Sequence, residues 1–178
     1  MGRFVLVRHA KPLRDPSLPP AAWSLDPGAA EAIAELVDVV KCLGLQRIRS
    51  SSEPKAVQTG CALAELLELP AESDPRLNEV HRPWVGDDGT FMETVQSYLA
   101  GDAVTGWEPQ ETVVARMQDA ARDAFETGFV GLVSHGTALA LFVAHLGLVR
   151  AADFWVQLTS PDAWLVDGST IRRLGASG

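Results

Sequence analysis

The order of apolar and polar residues along the chain predicts strands that alternate with helices. The clearest strand is RFVLVR at residues 3–8, a short apolar run typical of a strand buried on both faces of a sheet. Further strands are predicted over residues 47–51, 129–134, 163–166 and 170–174. The last two flank Asp167-Gly168, a dipeptide that favours the tight turn of a hairpin.

Between these strands, apolar residues recur every three or four positions, which is the spacing of one helix face. The first such segment begins at Asp26-Pro27 and stops at Gly44, where a glycine can end a helix. Other helices are predicted over residues 54–69, 109–125 and 137–146. Residues 71–107 instead carry Pro, Gly and Asp at short intervals, which predicts long loops with one short helix.

This alternation indicates the α/β fold class, a three-layer α/β/α arrangement with a mainly parallel central sheet. We expect a single domain over residues 1–178, because a chain of this length can complete one core. Residues 71–107 would then be a loop insertion that faces the substrate. In open parallel sheets, ligands bind beyond the carboxyl ends of the strands, so the residues that follow strands are the first candidates for a site.

Charge and composition restrict the classes of partner. The formal net charge is −8 at pH 7 and no run of Lys and Arg occurs, so neither nucleic acid nor an anionic membrane is an expected partner. The N-terminal apolar run is too short for a signal peptide, and we expect a cytoplasmic protein. Cys42 and Cys61 lack the spacing of a zinc site and are expected to be buried thiols.

Arg8 and His9 end the first predicted strand. A neutral imidazole can attack phosphorus, and an adjacent guanidinium can hold two phosphoryl oxygens in its fixed fork. The pair therefore suggests phosphoryl transfer, although an Arg-His pair at a strand end is more often structural or solvated.

His135 follows the predicted strand at 129–134 in the same way. The helix that begins at Gly136 and Thr137 offers backbone amides to an anion. The alternative is a histidine that only hydrogen-bonds a neighbour at the start of a helix. Two histidines at two strand ends nevertheless strengthen the case for a shared site.

Four segments, LVRHA, SSEPKAVQT, LNE and VSHG, resemble in their order and spacing the motifs of the histidine phosphatase superfamily, also called phosphoglycerate mutase-like. The resemblance covers nearly the whole chain and includes WSLDPGAAEA, which is similar to the entry of the family's first helix. It implies the family's α/β fold, a reaction that needs no metal or other cofactor, and a small-molecule phosphate ester as the substrate.

By motif position, the resemblance makes His9 the nucleophile and Arg8 its phosphate clamp. His135, followed by Gly136, would hydrogen-bond the phosphoryl oxygens in the transition state. Glu79 in LNE corresponds to the family's proton donor.

Three positions depart from or add to the family pattern. Ala10 stands where the family usually has glycine, and Lys55 stands where it usually has a second arginine. Lys55 either supplies a single ammonium to the phosphate or has become a surface residue of its helix. Arg82, three residues after Glu79, is a candidate for the missing cation.

The resemblance thus implies a phosphoric monoester hydrolase that forms a phosphohistidine on His9. A phosphoglycerate mutase-type phosphotransferase is the nearest alternative, although the mutases of this family are typically longer. A non-catalytic phosphate-binding member of the fold is a second alternative. A zinc site built from His9, His135 and Glu79 is a third, and Arg8 beside His9 disfavours a dication there.

Overall fold

The computed structural model describes residues 2–84 and 90–175. Its strands are β1 (Arg3–Arg8), β2 (Arg47–Ser50), β3 (Ala71–Ser73), β4 (Val130–Ser134), β5 (Asp162–Asp167) and β6 (Thr170–Arg173). They form one sheet in the order β3-β2-β4-β1-β5-β6. The first four strands in this order are parallel, and β5 and β6 add an antiparallel hairpin at one edge.

Helices cover both faces of this sheet. They are α1 (Ala29–Val40), α2 (Pro54–Leu67), α3 (Thr90–Leu99), α4 (Gln110–Phe125), α5 (Gly136–His145) and α6 (Ala151–Trp155). Residues of α1 and α2 form one apolar cluster with one face of the sheet, and residues of α3 to α6 form a second cluster with the other. The three-layer α/β fold with a mainly parallel sheet is therefore confirmed.

Strand β1 shows why its sequence is apolar without alternation. Phe4 and Leu6 pack into the cluster under α4 and α5, whereas Val5 and Val7 pack into the cluster under α1 and α2. All four are at most 1% exposed. A central strand that is covered on both faces needs apolar residues at every position.

The pairing of β1 with β4 positions the strand-end residues. Both strands run in the same direction, and Arg8 lies opposite Ser134 in their register. The residues that follow, His9 and His135, therefore leave the sheet side by side at its carboxyl edge. The parallel pairing extends one residue beyond β1, because the His9 amide donates to the Ser134 carbonyl at 3.1 Å.

The expectation of loops over residues 71–107 is wrong for its first residues. Ala71–Ser73 form β3, which pairs in parallel with β2 at the sheet edge. The short helix expected in this segment is α3, and residues 85–89 lie outside the described residues. The expected burial of the thiols is also wrong, since Cys42 and Cys61 are both exposed. Among the described residues, no helix has the length and apolar character needed to cross a membrane.

Leu132 in the centre of β4 offers a test of this packing. Its side chain is fully buried, so Leu132→Ala should lower the free energy of unfolding by about 2–5 kcal/mol through lost apolar contact and a residual cavity. Leu66→Ala is the matched control, because Leu66 is 56% exposed and its truncation should change stability by no more than about 0.5 kcal/mol. Urea denaturation followed by circular dichroism measures both values, and equal losses would contradict the assignment of β4 to the core.

Candidate active site

The two strand-end histidines lie in contact at the carboxyl edge of the sheet. The ring centroids of His9 and His135 are 4.9 Å apart, with the rings edge to face at 61°. Both are buried, at 6% and 1% exposure. They line the floor of a cleft of about 840 Å³, whose walls include all seven residues that the sequence proposed for the site. These are Arg8, His9, Lys55, Glu79, Arg82, His135 and Gly136.

The tautomer of His9 follows from one hydrogen bond. Its Nδ1 lies 2.7 Å from the carbonyl oxygen of Ala10. A carbonyl oxygen can only accept, so Nδ1 carries the hydrogen in the neutral ring and Nε2 keeps its lone pair. The Ala10 amide in turn donates to the Thr59 hydroxyl at 3.0 Å, which fixes the turn that holds this carbonyl.

Burial keeps the His9 ring neutral. Loss of hydration lowers the pKa of His9 to about 3, and the nearby charges of Lys55 and Arg8 act in the same direction. The hydrogen bond to Ala10 opposes this effect only in part. His9 is therefore an unprotonated imidazole at neutral pH, which is the form that can act as a nucleophile.

His135 is held by a short chain of hydroxyl and amide groups. Its Nε2 lies 2.8 Å from the Ser51 hydroxyl, which donates its own hydrogen to the side-chain oxygen of Asn78 at 2.8 Å. The hydroxyl therefore accepts from His135, so Nε2 carries the hydrogen. Nδ1 is buried and has no hydrogen-bond partner among the described residues. Burial, followed by the neighbouring His9, lowers the pKa of His135 and keeps the ring neutral.

The Arg8 side chain is hydrogen-bonded to backbone carbonyls and packs against the start of α5. Its Nη1 donates to the carbonyls of Leu158 and Thr159 at 3.1 and 3.3 Å, whereas the buried Nε has no partner within the described ranges. A Cβ placed on Gly136 would lie 3.5 Å from the guanidinium carbon of Arg8 and 3.3 Å from the indole nitrogen of Trp155. Glycine at 136 therefore avoids a tight contact with Trp155, whereas 3.5 Å from the guanidinium carbon is an ordinary van der Waals distance.

Glu79 occupies the amino end of α5. One carboxylate oxygen accepts from the Ala138 and Val80 amides at 2.9 and 3.0 Å, and the other accepts from Thr137 at 3.3 Å. The sequence suggested these helix amides as ligands of a substrate anion. In the structure, the amides of Thr137 and Ala138 instead hold the carboxylate of Glu79, which the positive end of the helix dipole favours.

Lys55 is a buried residue of the cleft, so its alternative placement on the helix surface is wrong. Its ammonium donates to a carboxylate oxygen of Glu53 at 2.5 Å and to the Pro20 carbonyl at 2.7 Å. The side chains of Lys55 and Glu53 are only 7% and 9% exposed. The charge of the ammonium is therefore already balanced by a neighbouring acid.

Glu53 is the main residue of the site that the sequence analysis missed. Besides Lys55, its carboxylate accepts from the Glu79 amide at 2.8 Å and lies 3.7 Å from Nε2 of His135. Burial raises the pKa of Glu53, and Lys55 opposes this effect. The available signal was an acidic residue inside SSEPKA, two positions before the candidate cation.

Arg116 of α4 was also missed, and it fastens the loop that carries Glu79. Its guanidinium donates to the carbonyls of Arg76, Asn78 and Glu79 at 2.8, 2.7 and 3.0 Å. Its charge is paired with Glu108, whose nearest oxygen is 2.9 Å away. An arginine in the middle of a helix carries no sequence signal for such long-range contacts.

Arg82 and two tryptophans form the outer part of the cleft. The guanidinium of Arg82 lies over the rings of Phe91 and Trp107, 4.5 and 5.2 Å from their centroids. Trp84 meets Trp23 edge to face with their centroids 5.1 Å apart. Trp84 therefore packs its loop onto the domain and also lines the cleft.

The geometry does not support a zinc site made from His9, His135 and Glu79. No group of three His, Cys, Asp or Glu side chains within residues 2–84 and 90–175 is arranged to hold a metal ion. Both oxygens of Glu79 accept from backbone amides, and Nε2 of His135 is bonded to a hydroxyl.

Fold and site together define an α/β protein that presents two neutral imidazoles, a guanidinium and a helix-bound carboxylate at the carboxyl edge of its sheet. The family model of the histidine phosphatase superfamily (branch 1) matches residues 4–163. The chain therefore belongs to the histidine phosphatase superfamily. No curated protein matches the chain with significance.

Solved structures show the same fold at low sequence identity. Bacillus stearothermophilus YhfR has a TM-score of 0.74 at 17% identity, covering 100% of this chain and 98% of that chain. A mycobacterial glucosyl-3-phosphoglycerate phosphatase has a TM-score of 0.72 at 20% identity, covering 98% and 97%. A phosphoglycerate mutase from Bacillus anthracis has a TM-score of 0.64 at 16% identity, covering 97% and 91%. Phosphatases and mutases are therefore both among the structural neighbours.

The buried pair of Glu53 and Lys55 should show strong energetic coupling. Glu53→Gln leaves a buried ammonium without its counter-charge and should lower the free energy of unfolding by about 3–5 kcal/mol. In Glu53→Gln/Lys55→Met, no uncompensated charge remains, so much of this loss should be recovered. Denaturant titration of the two single variants and the double variant gives the coupling energy, and additive losses would contradict a paired site.

The matched control is the exposed pair of Arg150 and Asp153, which is also joined by a short contact of 2.7 Å. Their side chains are 83% and 48% exposed, so water already solvates both charges. Asp153→Asn should therefore cost no more than about 1 kcal/mol.

Proposed function

We propose that this protein hydrolyses a small-molecule phosphomonoester through a phosphohistidine formed on His9, without a metal ion. The observation that carries the proposal is the hydrogen bond from Nδ1 of His9 to Ala10, which leaves Nε2 as an unprotonated nucleophile. The neutral ring lies beside a guanidinium and a second imidazole at the floor of a cleft, as a phosphoryl acceptor requires.

In the first step, Nε2 of His9 attacks phosphorus and the bond from phosphorus to the ester oxygen breaks. Glu79 gives its proton to the departing alkoxide, so the alcohol leaves in neutral form. We propose that the substrate binds as its monoanion and that its proton is the one that Glu79 passes to the leaving oxygen, because the second pKa of a phosphomonoester is about 6.

In the second step, water attacks the phosphohistidine while Glu79, now ionised, takes a proton from it. The bond from phosphorus to Nε2 breaks, inorganic phosphate leaves, and His9 returns to its neutral form. The same carboxylate serves as acid and then as base. The proton that it takes from water leaves with the phosphate product, so the next substrate monoanion meets Glu79 in its starting state.

The transferred phosphoryl group needs neutralisation by fixed charges and donors. Arg8 contributes its guanidinium, and the free Nδ1 of His135 becomes a donor once the arriving phosphate makes protonation of that ring favourable. Lys55 contributes through its ammonium, whose charge is shared with Glu53. In the proposal, Arg8 and His135 therefore carry more of this stabilisation than Lys55.

Replacement of His9 tests the nucleophile directly. His9→Ala should reduce kcat for p-nitrophenyl phosphate by about 10⁴-fold or more and abolish labelling of the protein by ³²P-phosphate esters. His145→Ala is the matched control, since His145 is exposed on the far end of α5 and should retain full activity. Unchanged hydrolysis by His9→Ala would overturn the assignment.

The low pKa of His9 predicts an unusual pH dependence. An ordinary histidine with a pKa of about 6.5 is mostly protonated at pH 5 and could not attack phosphorus. His9, with a pKa near 3, stays neutral there, so kcat/KM should hold down to about pH 4 and fall above about pH 6 as the substrate loses its proton. An acid limb near pH 6.5 in the kcat/KM profile would contradict a buried neutral His9.

Product analysis separates hydrolysis from the alternatives. With 3-phosphoglycerate, a phosphatase releases inorganic phosphate, whereas a mutase forms the 2-phospho isomer. In the proposed hydrolysis, water reaches the phosphohistidine and accepts its phosphoryl group. Free phosphate should therefore be the product with every metabolite phosphate of a panel that the protein turns over. Phosphate binding measured by calorimetry, with no turnover of any member of the panel, would instead favour a non-catalytic protein.

A further inference from the structure

The guanidinium of Arg116 lies in the wall of the cleft, yet all its donors are used within the protein. A guanidinium carries five N–H hydrogens, one on Nε and two on each Nη. Nε and one hydrogen of Nη2 bind the two carboxylate oxygens of Glu108 at 2.9 and 3.0 Å. The other three hydrogens bind the carbonyls of Arg76, Asn78 and Glu79 at 2.8, 2.7 and 3.0 Å. Arg116 therefore has no donor left for a substrate.

This saturation separates Arg116 from Arg8, the proposed phosphate clamp. The Nε of Arg8 is buried and has no partner within residues 2–84 and 90–175, so it can still bind a phosphoryl oxygen. A cation whose hydrogens are all engaged with the chain acts instead on the parts of the chain that it binds.

The contacts of Arg116 fix the backbone on both sides of Glu79. The peptide group that precedes Glu79 is held at its oxygen by Arg116 and at its amide by Glu53, at 2.7 and 2.8 Å. The peptide group that follows is held at its oxygen by Arg116 and at its amide by the Glu79 carboxylate, both at 3.0 Å. Peptide groups are planar and turn only about φ and ψ. Holding both groups therefore fixes the direction in which the Glu79 side chain leaves the backbone.

This support matters because Glu79 lies outside regular secondary structure. Residues 78–84 belong to no helix or strand, so no ladder of hydrogen bonds holds their backbone. Arg116 instead belongs to α4, a helix with one face buried in the core. Its partner Glu108 binds the same loop, because it accepts from the His81 amide at 3.1 Å and its own amide donates to the His81 carbonyl at 2.8 Å. The pair of Arg116 and Glu108 thus ties the loop to the core.

We infer that Arg116 is a positioning residue for proton transfer, because it holds the backbone of Glu79 and thereby sets the distance from the Glu79 carboxyl to the departing oxygen. The inference rests on the proposed function, in which Glu79 protonates that oxygen. A misplacement of about 1 Å can cost about 10²-fold in rate. Loss of Arg116 should therefore slow the reactions that need this proton and spare those that do not.

Two aryl phosphates with different leaving groups test the inference. Phenyl phosphate releases a phenol whose pKa, like that of tyrosine, is about 10, so its oxygen needs a proton as it departs. 2,4-Dinitrophenyl phosphate releases a far more acidic phenol, which leaves as its anion. In Arg116→Gln, kcat/KM for phenyl phosphate should fall by about tenfold or more, whereas kcat/KM for 2,4-dinitrophenyl phosphate should stay within about threefold of the wild-type value.

The ratio of the two kcat/KM values separates positioning from folding. Arg116→Gln leaves Glu108 without its counter-charge and can lower the fraction of folded protein, but a smaller folded fraction slows both substrates equally. Arg116→Gln/Glu108→Gln leaves no uncompensated charge and should change the ratio in the same direction. Arg116→Lys keeps a cation that can donate to the same carbonyls, so it should recover part of the phenyl phosphate rate.

Glu79→Gln supplies the reference for complete loss of the proton donor. This variant should lose about 10²–10⁴-fold in kcat/KM with phenyl phosphate and much less with 2,4-dinitrophenyl phosphate. Arg116→Gln added to Glu79→Gln should not change the ratio further, because no donor remains to be misplaced. The two substitutions should thus be non-additive in this ratio.

Arg76→Gln is the matched control, because Arg76 also fastens this loop to α4. Its guanidinium binds Asp123 of α4 at 2.6 Å and Asp74 at 2.7 Å, so its partners are carboxylates rather than the peptide groups beside Glu79. Arg76→Gln should therefore keep the wild-type ratio of the two kcat/KM values.

Four outcomes overturn the inference: Arg116→Gln and the double variant keep the wild-type ratio, Arg76→Gln changes it equally, Arg116→Gln still changes it in the Glu79→Gln background, or both substrates slow alike. The last outcome would assign Arg116 to the phosphoryl group or to the fold. A Glu79→Gln protein that keeps the wild-type ratio, or a wild-type protein that hydrolyses neither substrate, would overturn the proposed function and the inference with it.

Discussion

The parallel pairing of β1 with β4 is the constraint on which the site depends. Because the two strands run in the same direction with Arg8 opposite Ser134, the residues that follow them must leave the sheet as neighbours. Apolar packing on both faces fixes this register, since a shift by one residue would exchange the side chains that face the two helix layers. The contact between His9 and His135 is thus a product of core packing.

Acidic residues inside the cleft limit how positive it can be. Glu53 balances Lys55, and Glu79 is held by the amides of α5, so the site combines cations with carboxylates in a buried region. In the proposed reaction, an arriving phosphate therefore meets cations whose charges are already partly balanced. Its binding would depend on directed donors, namely the Nε of Arg8, which has no partner among the described residues, and the Nδ1 of His135 once that ring is protonated.

The local sequence pattern was sufficient to predict most of the strands and helices. It was insufficient to predict the side-chain contacts between them. The apolar runs gave the bounds of β1 and, to within one residue, those of β4. The adjacency of His9 and His135 followed from the rule for parallel strands. Strand β3 was missed because AES at residues 71–73 has no large apolar side chain and forms an exposed edge. The roles of Glu53 and Arg116 arise only from tertiary contacts, which a helix pattern does not encode.

The hydrogen bond between His9 and Ala10 also has a consequence for the chemical identity of the proposed intermediate. Histidine can be phosphorylated on either ring nitrogen, and the two isomers differ in stability and in the direction in which the phosphoryl group points. With Nδ1 tied to a backbone carbonyl 2.7 Å away, only Nε2 is free to form the bond. A phosphoenzyme of this chain would therefore be the tele isomer, and the backbone carbonyl of Ala10, rather than any side chain, would enforce that choice.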